Sequence, residues 1–287
     1  MKPVNLAAVV IMYHPEVLFL DNIFTYLDFV DRLYVIDNSE APSPGLRDRL
    51  TSNPKIKLIA NNINYGIARA LNIAGEKAIE EGYDWLLTMD QDSFFDTSVL
   101  TDYLKAADKF PEKETVAVFG VPYDSAFLAN MPAEKLYLDV NSMITSGSLV
   151  NLKLFNHLEG FNEKLFIDEV DHEYCYRAKI AGFRIICIRA GLMSHSLGKA
   201  INITSPLNNH SRKKTLHSPL RIYYIVRNGL YILKHFKTQF PDQAKKRKKL
   251  IYVTVKNNLL YGHEKTAVIK YTILGFWHYI KKRYYKL

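Results

Sequence analysis

The chain has 287 residues, 48% of them hydrophobic, and a formal net charge of +9, enough for one large domain or one domain with an appendage. Its two cysteines, Cys175 and Cys187, exclude a disulfide framework and a cysteine metal site. No signal-peptide pattern opens it, and no stretch reaches the ~20 apolar residues of a membrane-spanning helix, so a reducing, cytoplasmic location is expected.

The first ~120 residues alternate strand and helix signals. Ala7–Met12 is a short apolar run and Glu16–Phe29 a helix. Leu33–Ile36 is a second strand, ending in Asp37-Asn38-Ser39, and Pro42 and Pro44 mark a loop. Ile56–Ile59 is a third strand. From Gly66, apolar residues Ile67, Leu71, Ala74 and Ala78 recur at helical spacing until Gly82. Asp84–Met89 is a fourth strand, Thr97–Lys109 a helix and Val116–Phe119 a fifth strand. This rhythm predicts an α/β fold with a mostly parallel sheet flanked by helices. Such sheets bind ligands beyond the carboxyl ends of their strands.

That edge carries acids. The run Trp85–Met89 ends in Asp90-Gln91-Asp92. In an extended segment residues i and i+2 point the same way, so the two aspartates would face one point beyond the strand. Two hard oxygen donors there suit a divalent cation that also holds a diphosphate. The competing reading is a turn that caps the helix from Thr97. Asp37 at the same edge favours the first.

The middle of the chain is less regular. Thr145–Val150 reads as a turn into a strand and Gly160–Glu163 as a loop. Asp168, Glu169 and Asp171 sit where a helix should begin, with Glu173 and Arg177 spaced to pair along it. Gly182 ends that helix, and Arg184–Ile188 is a buried strand. The last third is helical in pattern: Leu220–Phe236, a basic run Ala244–Lys249 expected to be a solvated face, and Ala267–Tyr285. Residues 199–287 hold 20 Lys and Arg against 2 Asp and Glu. The expected division is 1–200 and 201–287. Such a tail calls for a polyanionic partner. No nucleic-acid module appears. Lys and Arg beside Trp277, Tyr and Leu in short apolar runs fit an anionic membrane surface instead.

Five motifs in order carry a resemblance: Val35-Ile-Asp37-Asn-Ser39, Asn64-Tyr-Gly66-Ile-Ala-Arg69-Ala-Leu-Asn72, Met89-Asp-Gln-Asp-Ser93, Phe166-Ile-Asp168-Glu-Val-Asp171-His-Glu173 and Tyr223-Tyr-Ile-Val-Arg227-Asn228. Over residues 5–235 the chain resembles the family 2 glycosyltransferases, in particular their bacterial rhamnosyltransferase-like branch. The resemblance implies a GT-A fold, a Rossmann-like domain binding a nucleotide-sugar, followed here by a basic helical C-terminal extension. It implies inverting sugar transfer aided by Mg²⁺ or Mn²⁺. Asp37 would hold the base or ribose, and Tyr13, Asn64, Gly66, Arg69 and Gln91 would line the donor pocket, Gly66 permitting close approach. Asp90 would contact the ribose or the metal's hydration shell. Asp92 would ligate the metal, with His195 completing the site. Asp171 would be the catalytic base, and Asp168, His172 and Arg227 would meet the acceptor or a phosphate. Met12-Tyr13-His14-Pro15 departs from the Thr-Tyr-Asn of many members, and Tyr174 stands where many carry tryptophan.

The expected reaction is a single displacement, in which an acceptor hydroxyl attacks the anomeric carbon and the nucleoside diphosphate leaves. It needs a carboxylate to take the hydroxyl proton and a cation beside the leaving group, two separate acidic sites. Asp171 as a mere helix cap, with Asp168 or Glu169 as base, is the alternative. The expected donor is dTDP-L-rhamnose, with a UDP-sugar (hexose or galactofuranose) second. The expected acceptor is a glycan or a polyprenyl-pyrophosphate-linked glycan at the inner face of the cell membrane. A nucleotidyltransferase would want a Gly-rich phosphate loop near the N-terminus, and Tyr13-His14-Pro15 is not one. A non-catalytic nucleotide-sugar-binding protein would lack the acidic base.

Overall fold

The structure, a computed structural model, describes residues 5–17, 19–41, 46–194, 200–204 and 211–287. The chain divides into two compact units, Met1–Phe166 with Val170–His195, and Ile167–Glu169 with Ser196–Leu287.

The first unit is built from β1 (Leu6–Met12), α1 (Phe19–Leu27), β2 (Arg32–Asp37), α2 (Leu46–Thr51), β3 (Ile56–Ala60), α3 (Gly66–Glu80), β4 (Trp85–Asp90), α4 (Thr97–Lys109), β5 (Val116–Gly120), α5 (Ser125–Ala129), β6 (Tyr137–Asp139), β7 (Ser148–Asn151), α6 (Leu152–His157), α7 (Val170–Ile180) and β8 (Arg184–Ile188). Its strands form one sheet in the order β3-β2-β1-β4-β7-β5-β8-β6. All seven residues of β1 are buried. The strand lies mid-sheet between parallel neighbours β2 and β4, so an unbroken apolar run replaces alternation. Helix α3 buries Leu71, Ala74 and Ala78 of the spacing that predicted it, with Ala68 buried in the first turn where Ile67 was expected; Ile67 is half-buried. The chain steps from β1 to β2 and β3 on one side, then returns to β4 on the other. The order reverses between β1 and β4, the place where sheets of this kind leave a crevice beyond the carboxyl ends of their strands.

The parallel rhythm stops at β4. The sequence pattern suggested β5 as a further strand of a parallel series, but β7 lies between β4 and β5 and runs antiparallel to both. The turn before β7 makes this possible. Gly147, at φ +75°, donates its N–H to the Thr88 carbonyl at 2.8 Å, reversing the chain against β4.

The second unit holds the hairpin β9 (Ala200–Thr204) and β10 (Ser211–Thr215), then α8 (Pro219–Phe236), α9 (Pro241–Tyr261) and α10 (Lys265–Ile280). Ser218 caps α8 by accepting the Arg221 N–H, and Pro219 occupies the first turn. Ile222, Val226 and Val268 form the small core. Among the described residues no helix is long and apolar enough to cross a membrane.

Candidate functional site

The crevice edge is laced by side chain to backbone bonds. Asp37, the last residue of β2, is 3% exposed, and its Oδ1 accepts the Ser39 N–H at 2.9 Å. Ser39 Oγ accepts the His14 N–H at 2.8 Å, tying the loop after β1 to the loop after β2. On the other side of β1, Gln91 Oε1 accepts the Tyr13 N–H at 2.9 Å and its Nε2 donates to the Tyr13 carbonyl at 3.4 Å. Gln91 thus continues the sheet pairing by one step where the backbones part. Asn22 of α1 donates to the Gln91 carbonyl at 2.9 Å. The Gln91 amide is therefore engaged by protein backbone, and the Tyr13 ring is left exposed at the mouth.

The two aspartates do not share an extended strand. Asp90 ends β4, and the Ser93 N–H donates to the Asp90 carbonyl at 3.1 Å. Residues 90–93 therefore turn, and the same-side argument for Asp90 and Asp92 fails because the strand stops at the first of them. Ser146 Oγ accepts the Asp90 N–H at 3.2 Å. Burial pushes the Tyr26 phenol far up, with the nearby Asp90 charge adding. Just beyond the turn, Phe94 and Ser194 exchange both backbone bonds, 3.1 and 3.2 Å. His195 lies outside the described residues, but its neighbour Ser194 is pinned beside the Asp90–Asp92 turn. Among the described residues no three His, Cys, Asp or Glu side chains form a metal cluster. Two carboxylates on a turn fit a hard divalent cation whose remaining oxygens come from a diphosphate and water.

The Asn64–Asn72 motif holds a loop of its own unit. Asn64 Oδ1 accepts the Gly66 N–H at 2.9 Å. Gly66 stands at φ +83°, and a Cβ there would lie 2.5 Å from both the Phe166 ring and the Phe166 carbonyl. The close approach expected of a ligand at Gly66 is made by Phe166. Arg69 likewise pairs with Glu163 at 3.1 Å and Glu76 at 3.5 Å, and the Glu163 hydrogen bond holds its guanidinium above its ordinary range. Asn72 donates to the Phe161 carbonyl and to Glu163, and accepts the Phe161 N–H, all within 2.8–2.9 Å. The motif thus fastens residues 161–166, the run leading to Asp171.

Asp171 lies in the first turn of α7, its side chain 19% exposed. Its Oδ1 accepts the His172 N–H and meets His172 Nδ1, both at 2.8 Å. His172 is thus held against Asp171. Tyr123, on the loop after β5, was not anticipated. Burial raises its phenol above the usual range, and the Asp171 charge adds to this, so it stays a proton donor near the carboxylate.

Asp168 and Glu169 are engaged elsewhere. Arg221 meets Asp168 at 3.1 Å and Arg247 meets Glu169 at 2.6 Å. Arg247 sits in the basic run expected to be solvated, yet its side chain is only 12% exposed, against a Glu169 at 3%. A carboxylate 78 places away is invisible to local pattern, so sequence reasoning could not find the pair from the run itself. Arg227 is 0% exposed. Its guanidinium donates to the Tyr285 carbonyl at 2.7 Å and the Tyr223 hydroxyl at 3.1 Å, and it lies 5.0–5.8 Å from the Tyr223, Tyr224 and Tyr284 ring centroids. The expected phosphate contact would require displacing the C-terminal segment. Asn228, next to it, donates to the Ile167 and Asp168 carbonyls at 2.6 and 3.1 Å.

Comparison with known proteins gives a concordant result. The family described as Glycosyl transferase family 2 matches residues 20–165, just over half of the chain. The dTDP-rhamnosyl transferase RfbF of Shigella flexneri is 28% identical over 251 residues, 80% of this chain and 80% of that one. Two solved structures share the fold. S. aureus TarS 1-349 in complex with UDP-GlcNAc has a TM-score of 0.59 at 14% identity, over 97% of this chain and 81% of that one. GalNAc-T7 with UDP, GalNAc and Mn²⁺ has a TM-score of 0.58 at 12% identity, over 91% of this chain and 56% of that one.

Proposed function

The chain belongs to glycosyl transferase family 2, and on that premise we propose that it moves L-rhamnose from dTDP-L-rhamnose to a glycan or lipid-linked acceptor with inversion at the anomeric carbon. That it is a glycosyltransferase using a nucleotide-sugar follows from the family and from its rhamnosyltransferase relative. The choice of donor rests on that relative's described donor. The observation that carries the reading is the sheet edge at the switch in strand order: Asp37 ends β2, and Asp90 ends β4 with Gln91-Asp92 next, the two strands that flank β1.

In this reading residues 1–200 bind the donor and catalyse. Asp37 takes the base or ribose, Asn64 and Arg69 border the nucleotide, and Asp90 takes the ribose. Asp92 and His195 would hold Mg²⁺ or Mn²⁺, which would offset the charge gathering on the departing diphosphate. Asp171 accepts the proton of the attacking hydroxyl, since a neutral hydroxyl is a weak nucleophile. As the proton leaves, a bond forms from the acceptor oxygen to the anomeric carbon, and the bond to the dTDP oxygen breaks. His172 steadies the carboxylate. Residues 201–287 rest on an anionic membrane surface, at the inner face of the cell membrane.

The test pairs calorimetry with turnover. dTDP-L-rhamnose should bind more tightly with Mn²⁺ than without, and Asp92→Ala should lose that difference. Asp171→Asn should keep donor binding while transfer falls by about 10²–10⁴-fold. Transfer at the full rate by Asp171→Asn would remove Asp171 from the role of base. Faster turnover of a UDP-sugar would reassign the donor.

A further inference from the structure

The run Phe166-Ile167-Asp168-Glu169 immediately precedes α7. Three of its four residues, none of them glycine, hold positive φ: Phe166 at 64°, Asp168 at 60° and Glu169 at 68°. Phe166 pairs this with ψ −62°, the rare strained γ-turn. Such conformations are strained and persist only where surroundings enforce them. The enforcing contacts can be named. Asn228 of α8 binds two successive carbonyls, Ile167 and Asp168. Arg221 of α8 binds the Asp168 carboxylate, and Arg247 of α9 binds the buried Glu169 carboxylate. Residues 167–169 accordingly group with the second unit, although they are bonded at both ends to the first. The next residue but one after Glu169 is Asp171.

We propose that Arg247, with Asn228 and Arg221, is a positioning residue for the catalytic base: it locks the strained 167–169 segment and thereby sets where α7 presents Asp171. The inference rests on Asp171 acting as base. Each contact does a distinct job. Asn228 fixes the peptide planes, and the Arg247–Glu169 pair prevents relaxation of the residue that enters α7. Loss of Arg247 removes the cation that sits 2.6 Å from a carboxylate 3% exposed, which favours moving Glu169 toward water and releasing the turn. Misplacement of a catalytic group by about 1 Å costs about 10²-fold in rate. The proposed donor contacts, Asp37, Asn64, Arg69 and Asp90, belong to the first unit and lie outside 167–169, so donor affinity should not follow.

The experiment compares wild type with Arg247→Met, Arg247→Lys, Arg221→Gln and Asp171→Asn in the full-length protein. Release of dTDP from dTDP-L-rhamnose gives turnover, calorimetry gives donor affinity, and hydrogen exchange reports the amides of 166–172. Arg247→Met should lower kcat by about 10²-fold with donor affinity within twofold, and speed exchange in 166–172 but not in β1 or β4. Arg247→Lys should recover part of kcat by restoring the charge. Arg221→Gln, at a guanidinium 46% exposed, should show the same split in smaller measure. Unchanged exchange at 166–172 in Arg247→Met, or kcat and donor affinity falling together in both Arg247→Met and Arg221→Gln, would overturn the proposal. Full turnover by Asp171→Asn would instead overturn the assignment of the base.

Discussion

Gly66 shows how one missing Cβ organises the site. Its φ of +83° is accessible to glycine at no steric cost, and the vacated space is filled by Phe166, whose carbonyl also accepts the Ile67 N–H at 2.7 Å. A methyl group would press on a backbone oxygen that has no freedom to move, and would hold a left-handed φ besides. We expect Gly66→Ala to destabilise by about 2 kcal/mol, measured by urea unfolding, and to lower kcat because the displaced loop leads to Asp171. A stability within 0.5 kcal/mol of wild type would contradict this. At this scale the sequence identified which positions are unusual but not always what they touch. Gly66 stood out as a site of close approach, while the approaching group, Phe166, is 100 places away. Gln91 was expected only as a donor-pocket residue, and its pairing with the Tyr13 backbone gave no signal, because an amide replacing a missing strand partner is recognised only once two backbones are seen to part. Arg247 was lost among lysines, since charge runs do not tell which member turns inward.

The long elements were legible because their burial is periodic. Thr97–Lys109 coincides with its sequence-derived bounds, and the five-residue Arg184–Ile188 was found from an unbroken apolar run instead. The short ones, α2, α5, α6 and β6, span six residues or fewer and present too little period to read. The antiparallel insertion of β7 was not legible, because strand order depends on pairing between segments ~60 apart and not on local pattern. In the second unit, α8 and α10 meet at a glycine. A Cβ on Gly275 would lie 2.7 Å from the Tyr223 carbonyl and 3.3 Å from Val226 Cβ. Replacing Gly275 by leucine should therefore force the two helices apart and cost about 1–3 kcal/mol. Pulse proteolysis should show cleavage concentrated in residues 219–287. Cleavage spread evenly over the chain would refute the idea that this contact stabilises the second unit locally.

At the scale of the whole molecule, the proposed membrane partner rests on where charge and apolar surface coincide. On α10, Ile269, Ile273, Phe276, Trp277 and Ile280 recur at helical spacing, and each is at least half exposed. They form one outward stripe, since Val268 and Gly275 are the residues that α10 buries. Lys281 lies over the Trp277 ring at 4.9 Å, and Lys282 and Arg283 follow. An apolar stripe ending in cations matches an anionic lipid surface, each cation contributing about 1 kcal/mol near it. Removing the C-terminal segment is a poor test, because Tyr285 and Leu287 bond Arg227 and Tyr224, and truncation would open that core. The double substitution Ile273→Glu with Trp277→Glu alters only the exposed stripe. It should leave the melting temperature within about 2 °C and reduce flotation with phosphatidylglycerol vesicles by about a hundredfold or more. Wild type should float far less with phosphatidylcholine alone, since the cations then have no partner. Equal flotation of variant and wild type on anionic vesicles would dismiss the stripe as the lipid contact. A wild-type dimer in sedimentation that the variant abolishes, without flotation of either, would assign the stripe to a second copy of the chain.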